Sequence, residues 1–199
     1  MKIIVTIFLL FINLNSLVKN SDIKEYRYWE NFSSSEKDKF ISNHKINKLA
    51  LEYYNGNLKI TDDEKTFELL RVLTSSKSEL IPFYYYLFNK ICLNSDGTLS
   101  VALGKFCLNM IINNPDYVIN HFTFERENVK RDEYLYQVYG NLLGYEMYFK
   151  KEGTSDIDYS FEQFKELLNQ LFKDSTSQNK QTLNLFYKCI SETMRKMSN

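Results

Sequence analysis

From about residue 35 onward, apolar residues recur every three or four positions, the spacing that gathers them on one face of an α-helix. Residues 33–57, SSSEKDKFISNHKINKLALEYYNGN, put Phe40, Ile41, Leu49, Tyr53 and Tyr54 on one stripe that stops at Gly56. In TDDEKTFELLRVLTSSKS, Thr61 and Glu64 read as a capping box, and the acids sit where the helix dipole favours them. Phe67, Leu70 and Leu73 are its apolar face. A third helix is expected from Ser78 as N-cap, with Pro82 in the first turn, where its missing N–H costs nothing. The turn NSDG leads to TLSVALGKFCLNMIIN, closed by Asn114-Pro115, and Pro115 opens a shorter helix, PDYVINHF.

A polar connector precedes NVKRDEYLYQVYGNLLGYEMYFKKEG, whose Lys150, Lys151 and Gly153 make a C-terminus. TSDID is a loop whose Asp156 and Asp158 are placed to cap the next helix. Ser160 and Gln163 start SFEQFKELLNQLFKD with another capping-box pair, and SQNKQTLNLFYKCISETMRKM finishes the chain. Alternating runs bounded by glycine, the mark of hairpins, are missing, and two prolines with six glycines suit helices joined by short connectors. The pattern predicts a single all-α domain, either an irregular helical bundle or a short α-solenoid, of about seven to eight helices. No repeat signature recurs at a fixed period.

Phe83, Tyr84, Tyr85, Tyr86 and Phe88 crowd into one of these helices. Successive residues point about 100° apart, so the rings surround the helix and place it at the centre of the bundle. The same angle argues against a flat aromatic platform for a sugar or base. A buried tyrosine hydroxyl wants a partner, which leaves room for polar links inside the core.

Composition changes this picture in three ways. Lys plus Arg equals Asp plus Glu at 25 each, a formal net charge of zero. A nucleic-acid binder needs surplus cations to displace counterions, so no nucleic-acid partner is expected. The first residues have a secretory layout: Lys2, an apolar run from Ile3 to Ile12, then a polar stretch with Ser16 at a cleavage position. A membrane span needs about 20 apolar residues, so the expectation is a leader over residues 1–20 and no stable membrane insertion once it is removed. An N-terminal arm, 21–35, and a helical domain, 36–199, follow. With no cysteine near the cleavage zone, a lipoprotein anchor is excluded. Export, to a periplasm or the extracellular space, is the resulting expectation.

Disulfides belong to that setting, yet Cys92, Cys107 and Cys189 are odd in number and lie in apolar helical runs. In a straight antiparallel hairpin about Gly97, Cys92 and Cys107 would be out of register by roughly 10 Å, beyond disulfide reach. Three buried thiols are expected, with a bridge to Cys189 as the alternative.

Chemistry-bearing motifs are sparse. His121 and Glu125, four apart, share a helical face as metal ligands do, but a zinc site needs further ligands at recognisable spacing. They read as a helix-end histidine beside a surface acid, and His44 reads as solvated. CLNSDGTLS has a calcium-loop flavour, but Cys92 and Leu103 would occupy ligand positions, so it is a helix-connecting turn. Serine-hydrolase, phosphate-loop and dinucleotide motifs are absent, and no cysteine has a neighbouring histidine. No metal or cofactor is expected.

Two features suggest contacts. Gly140 and Gly144 share a face mid-helix, each costing about 1 kcal/mol relative to alanine. Ser100 and Gly104 repeat the spacing, so the two small-residue faces either make one tight helix crossing or leave a groove for a partner's side chain. The arm EYRYWENF carries Tyr26, Tyr28 and the only tryptophan, Trp29, which either packs on the bundle or anchors a partner. Asn31-Phe32-Ser33 is a glycosylation sequon, relevant only in a eukaryotic secretory route. The functional expectation is a non-catalytic module binding a protein partner through Tyr26, Tyr28, Trp29, Gly140 and Gly144. The alternatives are a helical enzyme with dispersed acids and a carrier of a small apolar ligand.

Overall fold

The computed structural model describes residues 26–75, 79–95 and 97–199. The expected leader, and Ser78 as a helix cap, lie outside the described residues. Nine α-helices follow a 3-10 turn at Trp29–Asn31, and the described residues contain no strand. In chain order they are α1 (Ser34–Asn43), α2 (Lys48–Tyr54), α3 (Glu64–Thr74), α4 (Ile81–Asn94) and α5 (Gly97–Asn113). Then come α6 (Pro115–Asn128), α7 (Leu135–Lys151), α8 (Phe161–Leu171) and α9 (Ser177–Met197).

The ninth helix arises because the first stripe breaks in two. His44 takes an extended backbone, and Asn47 begins α2 by accepting from Leu49 N at 2.8 Å. The Tyr84 hydroxyl accepts from Asn47 N at 3.1 Å, tying this break to the core. His44 is not simply solvated: its ring stacks on Phe40 at 4.1 Å between centroids. At α3 the cap is Asp63 rather than Thr61, because Asp63 Oδ1 accepts from Thr66 N while Thr61 N donates to Thr66 Oγ1. The Ser160–Gln163 box forms as expected. Asp156 does not cap α8; its carboxylate pairs with Lys105 at 2.8 Å. Gly153 closes α7 at φ +74, where other residues are strained.

α7 is the element on which the others are assembled, lying between α5 and α9. Its glycines explain how. A Cβ on Gly140 would meet Cys189 Cβ at 2.6 Å, and one on Gly144 would meet Thr193 Cβ at 2.5 Å. A Cβ on Gly104 would lie 2.5 Å from Leu142 O and 2.6 Å from Glu146 Cβ, on the other side of α7. The two small-residue faces therefore do not meet each other. Each admits a different helix to α7, and bulk on either would push the neighbour away. The lost helix propensity is offset by close packing along α9, where Leu183, Phe186 and Ile190 are buried.

α4 occupies the centre, as its ring distribution predicts: Phe83, Tyr84, Tyr85, Leu87 and Phe88 are buried and Tyr86 is half-buried. Trp29, 2% exposed, reaches the same core, with its ring 4.8 Å from Phe83 and 5.3 Å from Phe40. All three cysteines are free. Burial, with a smaller influence of the nearby Cys92, raises the Cys107 thiol well above its ordinary value. The thiols are unbridged as expected, although α5 lies chiefly against α7 and α3 rather than along α4 as a straight hairpin would.

Candidate functional site

The helix from Pro115 does not end at Phe122. It continues to Asn128, and this extra length carries Thr123 and Glu125 into the interior. His121 and Glu125 are 6% and 1% exposed, not a helix-end histidine and a surface acid. Their burial is possible because the connector 129–134 is not helical and folds back over α6. Arg131 Nη1 from that connector lies 2.8 Å from Glu125 Oε1, an ion pair without a well-directed hydrogen bond. The Leu135 backbone N–H, among the unpaired donors at the start of α7, donates to Glu125 Oε2 at 2.7 Å. Burial raises the Glu125 carboxyl above its ordinary range, and the Leu135 N–H and Arg131 act against that shift.

His121 faces two ways. Its Nδ1 lies 3.1 Å from the Tyr85 hydroxyl in the core. Its ring packs against Tyr28 of the arm, with centroids 4.2 Å apart. Burial, with a smaller effect of the Arg131 charge, lowers its pKa to about 3, so the imidazole is neutral at physiological pH. One turn along α4 from Tyr85, the Asn89 side chain accepts from the Tyr139 hydroxyl at 2.7 Å. Asn89 Nδ2 makes no well-formed hydrogen bond. The buried Tyr139 proton needs an acceptor, which favours this amide orientation over its flip.

These side chains border a half-enclosed cavity of about 420 Å³ between the arm, α4, α6 and the connector into α7. Tyr28, Tyr86, Phe124, Val129 and Leu135 give it ring and apolar walls, while Asn89, His121, Glu125 and Arg131 gather on its polar side. Glu30, Asn31 and Lys90 stand at the exposed rim. A second, more open concavity of about 1090 Å³ lies between α3, α5 and α7, with Phe67, Val101, Phe106 and Phe149 in its wall.

Of the residues proposed from sequence, Tyr28 is on the cavity wall and Tyr26 is half-buried beside Tyr117. Trp29 is core, not an exposed anchor. Gly140 and Gly144 face α9 of the same chain, so no open groove runs over them. Sequence reasoning missed Asn89, Arg131 and the depth of His121 and Glu125. A signal was present in the i, i+4 pair, but only the fold-back of 129–134 shows that the pair is inside. Among the described residues no group of three or more His, Cys, Asp or Glu is placed to hold a metal ion, and no helix is long and apolar enough to cross a membrane. No protein-family model matches the chain, and neither a curated protein nor a solved structure matches it.

Proposed function

We propose that this chain is an exported, non-catalytic binding protein, and that its ligand site is the cavity beneath Tyr28. The observation that carries the reading is the cavity itself: about 420 Å³, apolar-walled, with four polar side chains converging on one side. Small-molecule sites have this size and this division between an apolar body and a few polar groups. Catalysis is less well supported, because Glu125, the buried acid of this cavity, is already engaged by Arg131 and the Leu135 N–H, and the other carboxylate of the lining, Glu30, stands at the exposed rim. Mass spectrometry of small molecules released from natively purified protein tests the proposal. Leu93, exposed at the cavity mouth, is the position to block. A compound that accompanies the wild type and is depleted in Leu93→Trp supports the site; equal recovery from both, or none from either, counts against it.

A second reading keeps the protein partner expected from sequence and moves its contact to the open groove between α3, α5 and α7. Val101, 39% exposed within that apolar wall, favours it. Photo-crosslinking from position 101 in the native extract should then trap a protein, whereas crosslinking from the cavity rim should not.

A further inference from the structure

The hydrogen-bond arrangement around His121 specifies the kind of ligand group the cavity takes, and this rests on the cavity being the ligand site. The Tyr85 hydroxyl is buried, with His121 Nδ1 3.1 Å away and the Asn89 side chain also beside it. Asn89 turns its amide donor to that hydroxyl, so the acceptor available to the Tyr85 proton is Nδ1. A buried hydroxyl proton left without an acceptor is costly, so Tyr85 donates and Nδ1 accepts. The imidazole is neutral, so its one proton is then on Nε2. That nitrogen makes no hydrogen bond among the described residues, and His121 borders the cavity. One more donor stands on the same side, the Arg131 guanidinium, whose ion pair with Glu125 uses Nη1, whereas the buried Asn89 Nδ2 is turned to Tyr85. Of the acceptors nearby, Glu125 Oε2 takes the Leu135 N–H and Asn89 Oδ1 takes the Tyr139 proton, while Glu125 Oε1 accepts no hydrogen bond but is held by the Arg131 charge at 2.8 Å.

We propose that His121 Nε2–H is a specificity-determining donor, and that the cavity binds uncharged small molecules that present a carbonyl oxygen to it from an aromatic or apolar body. A cationic head would have to compete with Arg131 for the Glu125 carboxylate. A carboxylate head would meet Arg131 but also stand beside the buried Glu125 and the rim acid Glu30. The body fits against Tyr28, Phe124 and Leu135.

Three probes of similar shape separate these chemistries: acetophenone, ethylbenzene and 1-phenylethylamine, titrated into the purified full chain and followed by amide NMR shifts. Acetophenone should bind about tenfold more tightly than ethylbenzene, the worth of one well-placed hydrogen bond. That advantage should vanish in His121→Leu and persist in His121→Gln, which keeps an N–H. Equal binding of acetophenone and ethylbenzene would overturn the carbonyl inference while leaving the cavity as a site. Preference for the amine overturns it too, and failure of all three probes defeats both the inference and the cavity reading. Should His121→Leu not fold, imidazole nitrogen NMR of the wild type decides: a proton on Nδ1 rather than Nε2 overturns the proposal.

Discussion

At the scale of single residues, His121 and Glu125 show how burial turns an ordinary i, i+4 pair into a pH-sensitive element. Folded His121 refuses a proton until about pH 3, whereas an unfolded histidine takes one near 6.5. Across that window the unfolded chain binds more protons, so the histidine's contribution to stability is complete above 6.5 and is lost as pH falls. Glu125 works in the opposite sense. Its folded carboxyl keeps a proton above the unfolded value of 4.5, so acid relieves the cost of burying it. The two groups therefore pull in opposite directions, and replacing the histidine isolates its share of the pH dependence. Urea midpoints should fall between about pH 7 and about pH 5 in the wild type, and His121→Gln should flatten that slope. An unchanged slope in the variant would show that His121 is not the titrating group. Asn89 belongs to this scale too: nothing in its sequence neighbourhood distinguishes it from the chain's other asparagines, and only its place behind a cavity wall, beside the Tyr85 and Tyr139 hydroxyls, gives its buried amide a meaning.

Among the elements, α7 has two contact faces of different origin. Gly140 and Gly144 admit α9, while Gly104 of α5 approaches the other side at Leu142 and Glu146. The glycine spacing was legible as a close helix approach, but not which helices approach, because a bare face carries no record of its partner. Gly144→Leu should force Thr193 and the Ile190 carbonyl away from α7 and destabilise the protein by about 1–3 kcal/mol or more. Chemical denaturation measures this directly; an unchanged midpoint would mean that α9 can slide without cost. The break between α1 and α2 and the extension of α6 through Asn128 show the same dependence on partners. Local pattern favours one continuous stripe in the first case and a polar connector in the second. A Tyr84 hydroxyl bonded to Asn47 N, and the Leu135 N–H with Arg131 on Glu125, reverse both.

For the whole molecule, export remains an expectation from residues 1–20, and its test is chemical. Mass spectrometry of the native protein should find an N-terminus between about residues 15 and 22, and a chain that retains Met1 would contradict it. The all-helical class was legible because the 3.6-residue apolar period is a local property that packing reinforces. For the same reason the central position of α4 could be read from rings on every side of one helix. The caps at Ser160 and the stop at Gly153 were legible as well, since their hydrogen bonds close within a few residues. The cavity was not. It is built from the arm, α4, α6 and the connector into α7, joined by contacts such as Tyr28 on His121 and Arg131 on Glu125. The same holds for Trp29, whose ring could serve a core or a partner until Phe40 and Phe83 enclose it. The sequence by itself determined that the chain is helical and which faces are apolar, because those depend on neighbours within a turn or two. The α1–α2 break and the end of α6 depended instead on tertiary partners. Tertiary structure decided which polar groups are buried together and which donors are left unpaired, because desolvation depends on chain segments that the pattern leaves far apart.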